Sequence, residues 1–175
     1  MFSNIRSVIS KNYMLLILVM SFLWILPSYN KFWHPYDEWV LLEAGDMINK
    51  GMAPYRDFFI LLYPPAQMYV IAGILKISGI GIMAVRLYTI LVQSVICALV
   101  FYIIKKISSF WYALIGSIVC LSIIPSYGRP IAIPTWPAIA LSLLSTVFLL
   151  TFLQSNKISY LTTAGFILGI TVVFR

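Results

Sequence analysis

Apolar and polar positions fall along this chain in long blocks. Apolar runs fill residues 13–29, 84–104, 110–124 and 136–153, and a last one begins at 160 and reaches 174. Polar residues sit at their edges. Arg6 and Lys11 precede the first run, and Lys105-Lys106 close the second. Pro125 is expected to end the third, and Gln154-Ser-Asn-Lys157 closes the fourth. A membrane-crossing helix needs about 20 mostly apolar residues, so these runs predict transmembrane helices. The first run is long for the core of a signal peptide, and no small-x-small cleavage site follows it. It therefore reads as an uncleaved first membrane helix.

The stretch 64–79 decides the topology. Its helical part is about 14 residues with Lys76 near its end, a length that suits an interfacial or re-entrant segment better than a span. If it does not cross, Lys105, Lys106 and Lys157 fall on the same side as Arg6 and Lys11, as the positive-inside rule asks. The expected fold is thus an all-α polytopic transmembrane bundle over 1–175, a single domain with about five spanning helices. Residues 30–83 form an outer loop, joined on that face by the loop at 126–135. The last apolar run is about 15 residues, short of a full span, so the chain is expected to stop inside or at the edge of a helix, as the N-terminal part of a longer protein.

Composition agrees. The chain is 62% hydrophobic and only 10% charged, with a mean hydropathy of +0.98, whereas a soluble domain has roughly 25% charged residues. Lipid as solvent removes the need for a polar surface. The net charge is +7, but the cations are mostly single and flank apolar runs. They read as topology signals, not as a patch for nucleic acid. Cys97 and Cys120 lie inside apolar runs, as small buried hydrophobes do, and no zinc spacing or disulfide framework is present. No phosphate-cradling glycine loop and no G-x-S-x-G appear either.

All five acids, Asp37, Glu38, Glu43, Asp46 and Asp57, fall in the one loop. Within it, residues 38–50 predict an amphipathic helix. Val40, Leu41, Ala44, Met47 and Ile48 recur at helical spacing, Asp46 and Lys50 are an i,i+4 pair, and Gly51 suits the C-terminal cap. Asp37 then fits an N-cap, with Glu38 favouring the helix dipole. The same two carboxylates also fit a base at the membrane surface, and the roles are compatible. The lone histidine, His34, stands among Trp33, Pro35 and Tyr36, which favours packing over proton transfer. Arg56 can pair with Asp57 or bind a phosphate. The loop tyrosines suit an aromatic belt, and a few of them sugar stacking. Arg86 reads as an interface anchor.

Taken in order, Pro35-Tyr-Asp37-Glu38-Trp, Glu43-Ala44-Gly-Asp, Gly51-Met-Ala-Pro54-Tyr55-Arg56-Asp57-Phe58, Tyr63-Pro64-Pro65-Ala-Gln-Met-Tyr69 and Arg86-Leu87 resemble one superfamily. It is that of membrane glycosyltransferases with the GT-C fold, in particular the bacterial protein-mannosyltransferase-like and aminoarabinose-transferase-like enzymes of the glycosyltransferase family 39 type. The resemblance is good over residues 20–105 and looser onward, where Gly165-x-x-x-Gly169 to Phe174-Arg175 fits. It implies a polyprenyl-phosphate sugar donor, an acceptor that is a glycan, a lipid or a protein, and inverting transfer at the outer face of the cytoplasmic membrane. It also implies two juxtamembrane helices, at 38–50 and 64–77. Asp37 and Glu38 would be catalytic, with Asp37 deprotonating or orienting the acceptor and Glu38 supporting it or holding the acceptor. Arg56, Asp57, Tyr55 and Tyr63 would bind substrate. Some relatives have a lysine where Tyr63 stands, and some have a further acid where this chain has Thr135-Trp136. No cofactor is implied with certainty, and a divalent cation is left open. The competing reading is a non-enzymatic polytopic protein, such as a transporter or an export subunit for lipid-linked glycans. Such a protein should place ionisable groups at mid-membrane along a path, whereas these runs carry almost none.

Overall fold

A computed structural model describes residues 2–31, 35–60, 64–79, 81–127 and 130–174. Among them lie seven α-helices: α1 (Phe2–Ile25), α2 (Pro35–Asn49), α3 (Pro65–Ser78), α4 (Ile82–Ile107), α5 (Phe110–Tyr127), α6 (Thr135–Ser155) and α7 (Ile158–Val173). The protein is an all-α membrane helix bundle. α4 and α6, at 26 and 21 residues, are long and apolar enough to cross a membrane; at 1.5 Å per residue they reach about 39 and about 32 Å, against a hydrocarbon core of about 30 Å. Shorter apolar stretches occupy Tyr13–Ser28, Phe110–Ile124 and Ile158–Val173.

α4 is the central element. α1, α5 and α6 pack against it, and α7 packs on α6. Small residues let the helices close up. A Cβ on Gly116 of α5 would stand 2.3 Å from Ile104 Cδ1 of α4, so any larger residue there would have to push the Ile104 side chain aside. The Ser145 hydroxyl donates to the Ala164 carbonyl across α6 and α7 at 2.8 Å. Both are familiar devices where lipid offers no hydrophobic drive between helices. The outward faces are apolar, with Leu15, Trp24, Trp111, Ile118 and Phe166 all exposed.

The connections are short, so α4/α5 and α6/α7 are antiparallel hairpins. Lys105, at the end of α4, lies over the Tyr13 ring with its nitrogen 4.6 Å from the centroid. The basic first half of α1 and the α4–α5 turn therefore share one end of the bundle. The other end carries α2 and α3, packed on each other, with α3 reaching α4. Gly45 of α2 is the closest approach: an added Cβ would meet Ile71 Cγ2 at 2.9 Å and the Ala72 nitrogen at 3.1 Å. Asn49 donates to the Ala72 carbonyl at 2.9 Å. Leu41, Ala44, Met68, Ile71 and Leu75 form their shared core, together with Val85 of α4.

Two expectations are corrected. α2 begins at Pro35, three residues before the expected start, because proline suits the first helical position, where its missing N–H has no partner to lose. Asp37 is consequently in the first turn and is not the N-cap. α5 runs through Pro125 to Tyr127. A proline removes one ladder bond, and membrane helices tolerate this. The C-terminal end of α2 is as expected. Gly51 adopts φ +87°, its N–H bonds the Ile48 carbonyl at 2.9 Å and that of Met52 bonds the Met47 carbonyl at 3.0 Å, the left-handed cap that glycine supplies at least cost.

Candidate active site

The site is built around the first turn of α2. Asp37 and Glu38 are adjacent, so their side chains leave the helix about 100° apart. That single step separates their environments. Glu38 turns toward the bundle and is 6% exposed, whereas Asp37 is half-buried at the edge.

Glu38 meets Arg86, one turn inside α4. Arg86 Nε donates to Glu38 Oε1 at 2.7 Å, and Nη2 donates to Oε2 at 2.8 Å. This is the planar two-point geometry that guanidinium and carboxylate share. Nη1 donates to the Tyr29 carbonyl, beyond the end of α1, at 3.1 Å. Both side chains are only 5% exposed. Leu41, Leu42, Val85, Pro130 and Ala132 close around the pair. One arginine thus ties α1, α2 and α4 together. The reading of Arg86 as an interface anchor is corrected: its head group is buried and paired. A charged residue near the start of the apolar run 84–104, which carries no other charge, was the available signal, since such a charge in a membrane helix requires a partner.

The second feature is the tight turn at 53–58. Tyr55 N–H bonds the Phe58 carbonyl at 2.8 Å, and Asp57 N–H the Ala53 carbonyl at 3.0 Å. The Asp57 carboxylate accepts the Ala53 N–H at 2.7 Å. Arg56 reaches the same carboxylate through Nε at 3.0 Å and Nη2 at 2.7 Å. The Arg56 bonds first, and then the Ala53 N–H, hold the Asp57 carboxyl down at about 2. The same bonds raise the Arg56 guanidinium above its ordinary value. Tyr55 sits at the tip with φ +63°, a conformation costly for a non-glycine residue and often found at ligand-binding loops. Its ring meets Phe59 edge-on, 5.4 Å between centroids.

Of the remaining acids, Asp46 pairs with Lys50 at 2.5 Å, while Glu43 is exposed. Tyr63 and His34 lie outside the described residues. Beside Pro64, a groove of about 600 Å³ opens between α6 and α7, lined by Thr135, Ser142, Leu143, Thr146, Thr171 and Phe174. It reaches from the loop end of both helices about 16 Å along α6, the rise from Thr135 to Thr146. Among the described residues, no group of three or more His, Cys, Asp or Glu is placed to hold a metal ion.

Residues 63–175 match the family described as dolichyl-phosphate-mannose-protein mannosyltransferase. The chain belongs to this family. It is a membrane glycosyltransferase of the GT-C type. The matched stretch includes Arg86 and the groove, and it begins after Asp37, Glu38 and the 53–58 turn. The chain matches no curated protein and no solved structure.

Proposed function

We propose that this mannosyltransferase-like protein moves a sugar from a polyprenyl phosphate to an acceptor at the outer face of the cytoplasmic membrane, with inversion. The observation that carries the reading is the division of labour between the two adjacent carboxylates. Arg86 occupies both oxygens of Glu38, so Glu38 is a positioning residue that fixes the start of α2. Asp37, on the next residue, stays half-buried at the edge of the bundle. A carboxylate held at the edge of the bundle on a rigid helix suits a general base.

In the proposed step Asp37 takes the proton of the acceptor hydroxyl while its oxygen attacks the anomeric carbon from the face opposite the phosphate. The bond from that carbon to the phosphate oxygen breaks, and the electron pair leaves with the lipid phosphate. The leaving group is already an anion, so it calls for a cation, not an acid. Arg56 is the loop residue assigned to it, through N–H donors beyond the two given to Asp57. Tyr55 and Tyr63 are assigned to the sugar, and Asp57 to holding Arg56 and the turn. The groove beside Pro64 takes the first isoprene units of the donor, since it opens along two membrane helices and Pro134, Ala138, Ile139, Leu143 and Phe174 give it apolar walls between its hydroxyl groups. The family description names a protein acceptor, so a polypeptide hydroxyl is the acceptor to try first.

The test uses membranes containing the intact protein, given sugars linked to polyprenyl phosphate or to nucleotides. Transfer from the lipid-linked sugar alone, with an inverted anomeric centre in the product, is expected. Transfer from the nucleotide sugar, or retention of configuration, would overturn the reading.

A further inference from the structure

A second cavity lies beside α2, on the flank next to Asp37. It holds about 200 Å³ and is lined by Val40, Glu43, Met47, Phe58, Phe59 and Ile60. Val40, Glu43 and Met47 recur at three and four residues, so they form one stripe of the helix. Opposite them stands the segment leaving the 53–58 turn. Phe58 and Ile60 are anchored in the core shared with α2 and α3. The wall is therefore held by packing on one side and by the Asp57 brace on the other.

Its charge is unbalanced. Glu38 is neutralised by Arg86 and Asp46 by Lys50. Among the described residues Glu43 has no hydrogen-bond or ion-pair partner, and it is the one charged group in a cavity otherwise made of apolar and aromatic side chains. A lone carboxylate beside two phenyl rings favours an organic cation, through ion pairing and through the electron-rich ring faces. The cavity is smaller than the several hundred Å³ of an ordinary small-molecule site. It suits a single long side chain with an apolar stem and a charged tip, which is the build of lysine or arginine.

Its place is informative too. Along α2, Asp37 precedes Val40 by about 4.5 Å and Glu43 by about 9 Å. An extended peptide advances about 3.3 Å per residue. A hydroxyl at Asp37 and a cation at Glu43 would thus be two or three residues apart in an acceptor.

We propose that this cavity is an acceptor subsite that takes a lysine or arginine side chain two or three residues from the acceptor hydroxyl. The proposal rests on the reading of the acceptor as a polypeptide. Glu43 ranks acceptors by charge, and Phe58, Phe59 and Met47 hold the stem.

The test is a binding measurement, so it does not depend on turnover. The intact protein, in nanodiscs of phosphatidylcholine, is titrated with fluorescent serine hexapeptides. These carry lysine, norleucine or glutamate two or three residues from the serine. The lysine peptide should bind about fivefold more tightly than the norleucine peptide, the upper size of a cation contact at an exposed site. Glu43→Gln should bring the two within about twofold and leave norleucine binding unchanged. Equal binding of both peptides to the wild type, or an unchanged preference in Glu43→Gln, would overturn the proposal. Loss of the preference when phosphatidylethanolamine is added would also overturn it, by assigning the cavity to a lipid ammonium. If the preference depends on Glu43 but no sugar is transferred from any lipid donor, the subsite stands and the transfer reading fails.

Discussion

Arg86→Met should be the most damaging single change in the described structure. The variant keeps the length of the stem and removes the guanidinium. It loses the bonds to both Glu38 oxygens and to the Tyr29 carbonyl, and it leaves a carboxylate in a site 5% exposed. Removing one partner of a buried pair costs about 3–5 kcal/mol, most of it the penalty of the stranded charge. An exposed pair would be worth about 0–1 kcal/mol, so the two cases are well separated. Replacing both partners, as Glu38→Leu with Arg86→Met, removes the stranded charge as well and should recover most of the loss. Arg86→Lys should fall between, because an ammonium cannot make the two-point contact. The assay is unfolding of the detergent-solubilised protein in mixed micelles, followed by helical circular dichroism and analysed as a double-mutant cycle. A loss below about 1 kcal/mol for Arg86→Met, or two single effects that simply add, would refute the claim that this pair fastens α1, α2 and α4.

Other outcomes follow from the same geometry. Gly45→Ala should cost about 1–3 kcal/mol in the same assay, since the new Cβ meets the Ala72 backbone nitrogen at 3.1 Å and overpacking cannot be relieved there. The Asp57 carboxyl is held down at about 2, so its contribution to the turn is full above the ordinary carboxylate range and is lost as pH falls toward 2. The amide shift of Ala53 should report that low midpoint, and a midpoint near 4 would contradict it. Ser142→Phe, which narrows the groove between α6 and α7, should raise the KM for a long-chain lipid donor more than for a short-chain one, measured by label transfer.

Much of the fold was legible because helix length and apolarity are read directly from the chain. The runs at 84–104 and 136–153 became α4 and α6 with small changes at their ends. The two loop helices were also legible, α2 from its spacing of Val40, Leu41, Ala44 and Met47, and α3 from its Pro-Pro start. The errors came where one residue obeys two rules. Pro35 could precede a helix or open it, and it opens α2, which moved Asp37 off the cap. Pro125 could stop α5 or ride within it. The site was legible as an acidic loop but not as a geometry. Asp37 and Glu38 look equivalent in sequence, and what sets Glu38 apart is its inward turn toward a partner 48 residues away, Arg86. Pairing across that distance leaves no local signal beyond an unexplained charge. Arg56 and Asp57 were paired as one of the two expected roles, because adjacent residues in a turn can reach each other.

The most direct test of the central claim compares wild type with Asp37→Asn in membranes containing the intact protein. Asparagine keeps the size and shape of the side chain. Radiolabelled polyprenyl-phosphate sugars are supplied, and loss of label from the lipid is followed. Turnover by wild type and none by a well-folded Asp37→Asn is the predicted result. Comparable turnover by both would contradict the assignment of Asp37 as the base.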